Sequence, residues 1–239
     1  MLTNFNNLLL LDIETVPAYS SYNKMPELWQ VLWQEKASKY PNLQALTPNE
    51  SYKERAGILA EFGKIIVISI AYFVTKQEHL QLKQKTISNH NETELLTQFV
   101  NLCNDIYKSK KSIQFAGHNI KEFDLPYICR RLVINQLTIP KYLNHPGQKP
   151  WENQHLDTLH YWRFGDYKNY ISLKLLAACL NIPSSKTDID GSQVQQVYYE
   201  LNDLQRIANY CTADVQVVAQ IILHLHNQPL LLPEHIMVA

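Results

Sequence analysis

The chain has 239 residues, of which 46% are hydrophobic and 18% charged, so it can bury a substantial core as one globular domain. Lysine plus arginine equals aspartate plus glutamate at 22 each, which excludes a global charge argument for wrapping long nucleic acid; any such contact must be local. The six glycines are too dispersed for a G-x-G-x-x-G turn or a Walker loop, which disfavours nucleotide-cofactor folds.

The N-terminal residues and the cysteines indicate the cell compartment. No basic stretch followed by a long apolar run opens the chain, and the most apolar segment, IIVISIAYFV, is too short to span a bilayer. The cysteines are widely separated, form no C-x-x-C pair and lie in helix-like apolar patterns, which predicts buried thiols: Cys103, Cys129, Cys179 and Cys211. We expect a soluble protein of the reducing cytoplasm with no membrane partner.

The first predicted strand covers about residues 8–13, within LLLLDIETVP, and ends in two acids. Because side chains alternate along a strand, we expect Asp12 and Glu14 to point to one face and Ile13 to the other. Two like charges side by side repel each other, so this pair predicts a bound cation.

A long segment at about 17–60, rich in Trp, Gln, Lys and Pro, predicts a helical insertion in a single domain that covers 1–239. Within it MPELWQVLWQEKASKY has helical spacing, with Leu28, Val31 and Leu32 on one side. This helix has two interpretations: an aromatic and basic wall along single-stranded DNA, or a helix that packs its two tryptophans against the sheet. We favour the second.

The central part of the chain predicts further strands and helices. GKIIVISIAYFV reads as a long central strand and EHLQLKQK as its more exposed neighbour. Asn91 caps an amphipathic helix, and SIQFAGHN predicts another strand that leads into a helix. Further helices are expected at 171–180 and about 201–226. The sum is an α/β domain.

Two later acids stand at informative positions. Asp124 opens a helix with Pro126 in its first turn, and for an isolated Asp the simplest interpretation there is an N-cap. Asp214 lies inside a helix whose other faces are apolar, with Tyr210 four residues earlier on the same face. Because an interior Asp disfavours a helix, tertiary structure must hold Asp214 there, and structural and functional interpretations stand level.

The order of these motifs resembles that of the DEDD (DnaQ-like) 3′-to-5′ exonucleases, over roughly residues 8–226. The segments most similar to the predicted exonucleases related to the proofreading domain of bacterial family-B DNA polymerases are DIETVP, EFGKIIVISIAYF, GHNIKEFDLPYICRR and DGSQV followed by YCTADV. The resemblance implies a ribonuclease H-like fold with a mixed central sheet flanked by helices. It also implies the tyrosine subclass, because Tyr210 matches the tyrosine whereas Asn209 occupies the position of the histidine subclass's base.

The resemblance further implies that two divalent metal ions are held by four carboxylates: Asp12, Glu14, Asp124 and Asp214. Asp12 would bridge both ions, Glu14 and Asp214 would complete one, and Asp124 would hold the other mainly through water. Tyr210 would help to orient the attacking water. Phosphodiester cleavage gives an independent reason, because two hard cations supply a nucleophile and relieve charge on phosphorus. Oxygen ligands suit Mg2+ or Mn2+, and the absence of a His or Cys cluster in the sequence disfavours zinc.

Other residues have both a functional and a structural interpretation. The candidates for contacts with the terminal nucleotide are Thr15, His118, Asn119 and Phe123. Phe123 equally suits core packing, His118 a satisfied structural histidine, and Thr15 a strand end. Asp157 and Asp190 are interpreted as cap or turn residues outside the metal site. The candidates for a local basic face are Lys121, Arg130, Arg131, Lys168 and Lys174.

Three functions remain open at the level of sequence. The leading one is a metal-dependent exonuclease that removes nucleotides from 3′ ends of single-stranded DNA. The second keeps the chemistry and takes RNA instead. The third is a nucleic-acid-binding accessory module with an idle site, which the complete set of acids and Tyr210 disfavours. The sequence identifies no partner polymerase or repair protein.

Overall fold

The computed structural model describes residues 5–76, 79–143, 147–149, 152–183 and 188–238. In this part of the chain the strands are β1 (Leu8–Pro17), β2 (Gly63–Lys76), β3 (His79–Ser88), β4 (Gln114–Gly117), β5 (Leu156–Asp157) and β6 (Ile236–Val238). The α-helices are α1 (Glu27–Ala37), α2 (Pro48–Arg55), α3 (Glu92–Lys110), α4 (Asp124–Ile134), α5 (Thr158–Arg163), α6 (Leu173–Cys179), α7 (Val194–Tyr199) and α8 (Leu204–Leu225).

One mixed sheet organises these elements, with strand order β5-β4-β1-β2-β3-β6. β1, β2 and β3 form an antiparallel meander, whereas β4 pairs parallel to β1 and β5 parallel to β4. The carboxyl ends of β1, β4 and β5 therefore meet at one edge of the sheet. The predicted α/β class with a mixed central sheet flanked by helices is confirmed.

Helices cover both faces of the sheet around β1. Leu9, Leu11 and Ile13 pack in a core with α3 and α4, whereas Leu8 and Leu10 pack against α8. This alternation is the period of two that an extended strand imposes. Because even-numbered positions of β1 face α8, the side of the sheet that carries Asp12 and Glu14 is the side that α8 covers.

The observed β1 is longer than the predicted one, because its pairing with β2 continues to Pro17 opposite Gly63. The register of this pairing shifts between Glu14 and Thr15, which is a β-bulge beside the second acid. The prediction that the strand ends at about residue 13 is therefore wrong, and so is the interpretation of Thr15 as a strand end.

The apolar side predicted for α1 is wrong. Leu28, Val31 and Leu32 are exposed, at 67%, 49% and 38% of their surface. The buried residues of α1 are Trp33 and Ala37, and the ring of Trp33 packs edge-on against Tyr52 and Phe62. The prediction that both tryptophans pack against the sheet is wrong, because Trp29 is 38% exposed and Trp33 packs in a separate core of residues 22–62 that includes no strand residue.

The cysteines and the short elements also differ from expectation. All four cysteines are free thiols. Cys103 and Cys211 are buried, Cys129 is partly buried, and Cys179 is exposed, so the prediction of a buried thiol is wrong for Cys179.

The sequence did not indicate α5, α7, β5 or β6. None of the helices in the described ranges combines the length and apolarity that crossing a bilayer requires.

Candidate active site

The D-x-E pair of β1 lies under α8 at the edge where the parallel strands end. Ligand atoms of Asp12, Glu14 and Cys211 all lie within 4.8 Å of one another. In the described ranges this is the one His, Cys, Asp or Glu group that is tight enough to hold a metal ion. Cys211 was not among the predicted site residues, and its approach to the two acids is a finding of the structure.

Asp124 approaches the same pair from the other side of β1. It is the first residue of α4, while the N-cap position is Phe123, so the N-cap interpretation of Asp124 is wrong. Its carboxylate is buried and accepts a hydrogen bond of 3.2 Å from the backbone N–H of Ile13. Because Ile13 lies between the two acids of β1, this bond fixes Asp124 beside them.

Asp214 is presented by α8, in a helix whose buried face packs on the sheet. Its carboxylate is hydrogen-bonded to the Tyr210 hydroxyl one turn earlier. A turn at Gly191 borders the same place, because a Cβ at Gly191 would lie 4.0 Å from the Tyr210 hydroxyl. The acids therefore come from β1, α4 and α8, and Tyr210 stands at their margin.

Burial raises the pKa of each of the four carboxylates. For Asp12 and Glu14 burial is the largest cause, repulsion among the four acids adds to it, and both pKa values lie well above the usual range. The pKa of Asp124 rises to about 7 and that of Asp214 to about 6, chiefly because both groups are buried. Cations that compensate the charge favour the ionised form of carboxylates that are buried together. The donor set is rich in hard oxygens and fits Mg2+ or Mn2+.

The Tyr210 hydroxyl is also protonated at neutral pH. Burial and the charges of Asp214 and Glu14 raise the pKa of its hydroxyl above the usual range. A phenol in this environment keeps its proton. Tyr210 is therefore a neutral hydrogen-bonding group in this environment.

The loop that follows β4 is shaped by Asp157, the last residue of β5. Its buried carboxylate accepts hydrogen bonds from the backbone N–H groups of Asn119 and Lys121, each at 3.0 Å. The same carboxylate caps α5 through the N–H groups of Leu159 and His160. The predicted cap role is confirmed, and Asp157 also anchors the loop that leads to Asp124.

The four candidate substrate residues surround this loop and β1. Both ring nitrogens of His118 are engaged, with Thr158 Oγ1 at 2.8 Å and the Ile171 carbonyl at 2.9 Å, and burial lowers its pKa. Asn119, at φ 62°, has a buried side-chain oxygen with no hydrogen-bond partner in the described structure. Phe123 packs against Tyr127 in a tilted arrangement with ring centroids 5.4 Å apart, and Thr15 is hydrogen-bonded to the Tyr127 hydroxyl.

The candidates for a basic face differ in burial and in their hydrogen-bond partners. Arg131 is buried and pairs with Glu92, so its assignment to an exposed basic face is wrong. Lys121 donates to the Asn153 carbonyl at 3.0 Å. The remaining candidates are exposed: Arg130, Lys168 and Lys174.

A family model matches most of the chain. Residues 58–228, more than half of the sequence, match the family described as predicted 3′-5′ exonucleases related to the exonuclease domain of PolB. Asp124, Tyr210 and Asp214 fall within the matched residues, whereas Asp12 and Glu14 precede them. The match therefore covers three of the candidate site residues, and the structure brings the two acids of β1 next to them. No curated protein matches the chain.

A solved structure shows the same fold. The family B DNA polymerase from the hyperthermophilic archaeon Pyrobaculum calidifontis aligns with a TM-score of 0.57 and 12% identity, over 90% of this chain and 24% of that polymerase. The chain thus spans about a quarter of the polymerase's length. This likeness shows the ribonuclease H-like fold. Together with the match over residues 58–228, it leads to one conclusion: the chain belongs to the family of predicted 3′-5′ exonucleases related to the exonuclease domain of PolB.

Proposed function

We propose that this 3′-to-5′ exonuclease removes nucleotides from the 3′ end of single-stranded DNA by a two-metal-ion mechanism, as a single domain over 1–239. The observation that carries the proposal is the convergence of four acids from three elements: Asp12, Glu14, Asp124 and Asp214. Their burial and mutual repulsion make the cluster unfavourable without cations. The family match supports nuclease chemistry and the PolB relationship supports DNA as the polymer.

In this proposal the acids hold two divalent ions, Mg2+ or Mn2+. Asp12 would hold both ions, Glu14 and Asp214 would hold one of them, and Asp124 would hold the other mainly through water. When bound, the ions supply a water nucleophile at neutral pH and stabilise charge on the phosphate. The Ile13 N–H keeps Asp124 in place, and because each carboxylate oxygen has two lone pairs, an oxygen that accepts a hydrogen bond can still bind a cation or its water.

Tyr210 orients the attacking water in this proposal. Its hydroxyl is tied to the Asp214 carboxylate and retains its proton, so it can fix the position of a water without competing for that water's proton. The hydroxyl lies beside Gly191, where the lack of a side chain leaves room for the scissile end of the strand.

For the terminal nucleotide, Asn119 is the strongest of the candidate contacts. Its buried, unpartnered oxygen has a hydrogen-bond requirement that a donor on the base or sugar would satisfy. Phe123 and Thr15 remain proposed contacts through stacking and a backbone N–H. We assign His118 a structural role, because both of its nitrogens already have partners.

The test is digestion of a 5′-labelled single-stranded DNA oligomer with Mg2+ or Mn2+, beside RNA of the same sequence. The variants are Asp12→Ala and, as a matched control, Asp105→Ala, which removes an acid that is 73% exposed on α3. We expect a metal-dependent ladder that shortens from the 3′ end, absent in Asp12→Ala and retained in Asp105→Ala.

Each alternative predicts a different result. Faster digestion of RNA would replace the DNA assignment with the exoribonuclease. Absence of cleavage of either polymer by folded wild-type protein, together with retained binding, would favour the accessory module with an idle site. Full activity in Asp12→Ala would refute the metal-site assignment.

A further inference from the structure

Cys211 lies between the residues that the proposed mechanism uses on α8, one position after Tyr210 and three before Asp214. Its side chain is fully buried at 0% exposure. Its sulfur lies 3.3 Å from Asp12 Oδ2 and 3.5 Å from the Asp12 backbone carbonyl oxygen. Both neighbours are acceptors when Asp12 is ionised, so the S–H is the donor in this contact.

A partly buried network of polar side chains holds the Cys211 region of α8 against the sheet. Gln84 of β3 donates to the Thr212 carbonyl at 2.7 Å and to the Ser69 hydroxyl at 2.9 Å. Ser69 is the partner of Asp12 across the β1–β2 pairing. The hydroxyls of Thr212 and Thr86 are 2.7 Å apart. These bonds hold the helix beside β1 and leave the Cys211 sulfur little freedom to move away from Asp12.

We propose that Cys211 is a positioning residue, which rests on the proposed function: its S–H holds the Asp12 carboxylate in the orientation that binds metal together with Glu14. A carboxylate oxygen has two lone pairs, so accepting one S–H leaves Oδ2 able to bind a cation. Groups that donate to metal-binding side chains in this way orient the ligand, and their loss typically lowers metal affinity or activity by about 10- to 100-fold.

The test replaces the thiol in three ways. Cys211→Val removes the donor at similar size, Cys211→Ala removes it without adding bulk and serves if the valine variant does not fold, and Cys211→Ser keeps a donor. Cys103→Val is the matched control, because Cys103 is also 0% exposed but packs in the core between the sheet and α3. For each protein we would measure kcat, the KM for the oligomer, the Mg2+ activation constant and the shift in Tm that Mg2+ produces.

We expect Cys211→Val or Cys211→Ala to lower kcat or apparent Mg2+ affinity by about 10-fold with little change in KM, and to show a smaller Mg2+-induced Tm shift. Cys211→Ser should stay close to wild type, and Cys103→Val should keep wild-type kinetics even if its Tm falls. Wild-type kinetics and a wild-type Tm shift in the donor-free variants would overturn the inference, and so would a serine variant as impaired as valine. A wild type that neither cleaves nor gains stability from Mg2+ would overturn the proposed function and this inference together.

Discussion

Removal of divalent ions should make the stability of this protein fall as the pH rises, because of its buried acids. In the folded protein the pKa of Asp124 is about 7, against 3.8 ordinarily. Between these values the folded state holds a proton that the unfolded state has released. The resulting stability is present below the ordinary pKa and is lost as the pH rises through about 7.

The magnitude follows from the size of the shift. Between pH 6 and 8 Asp124 crosses its folded pKa, and the free energy of unfolding falls by about 1.4 kcal/mol from this group alone. For a chain of this length, that loss lowers Tm by about 3–6 °C. Asp12 and Glu14 change stability in the same direction, because their pKa values are also raised.

The assay is thermal unfolding in EDTA at intervals from pH 6 to 8, repeated with saturating Mg2+. The matched variant is Asp124→Asn, whose side-chain oxygen can still accept the Ile13 N–H but which has no proton to lose. Titrating groups that do not interact with Asp124, such as His118 with its lowered pKa, are common to both proteins and cancel in the difference. Wild type should lose stability relative to Asp124→Asn as the pH rises, and Mg2+ should abolish that difference in slope.

One result would refute this reasoning. If wild type and Asp124→Asn in EDTA show parallel Tm curves between pH 6 and 8, the carboxylate ionises freely in the folded protein. A burial-raised pKa would then be wrong for Asp124. An unchanged Tm on addition of Mg2+ at pH 8 would argue further that the acids do not bind the cation.

Two further predictions concern catalysis and stability. Tyr210→Phe should lower kcat by about 10²-fold or less while leaving Tm unchanged, whereas Asp214→Ala should abolish cleavage. Single-turnover digestion measures the rate of both variants. Equal losses of activity would contradict the auxiliary role of Tyr210. Arg131→Met should lower the free energy of unfolding by about 3–5 kcal/mol in urea titrations, because Glu92, with 7% of its side chain exposed, would be left buried without its cation. The double variant with Glu92→Met should recover much of that loss, and a single variant as stable as wild type would contradict the importance of the pair.

The sequence predicted those parts of the site that depend on local periodicity. Alternation along β1 placed Asp12 and Glu14 on one face, and the observed cores on either side of β1 agree with that placement. The helical position of Asp214, one turn after Tyr210, likewise follows from the chain's own spacing. These are relations within one element, where the backbone geometry alone fixes which side chains are neighbours.

Contacts between distant parts of the chain could not be predicted in this way. Cys211 lies 199 residues from Asp12, and Arg131 lies 39 from Glu92. From the sequence, Cys211 was predicted to be a buried thiol and Arg131 a surface cation. Neither prediction could identify the residue that lies beside it in the folded protein. The wrong prediction for α1 has the same cause. Helical periodicity identified apolar residues on one side of α1, but it could not show that Trp33 would take the core position.

The location of the acids on rigid elements explains their burial, which is nearly complete for Glu14 and Asp124 and partial for Asp12 and Asp214. Leu8 to Leu11 before the pair and Val16 after it are fully buried, so the backbone of β1 has almost no freedom around Asp12 and Glu14. Asp214 is fixed on a helix whose next residue, Val215, is also fully buried. A site on such elements positions its ligands well, but the same packing removes water from the carboxylates and raises their pKa. Neutralising one acid should therefore stabilise the metal-free protein at pH 8 and eliminate cleavage, a combination that an acid with only a structural role would not produce.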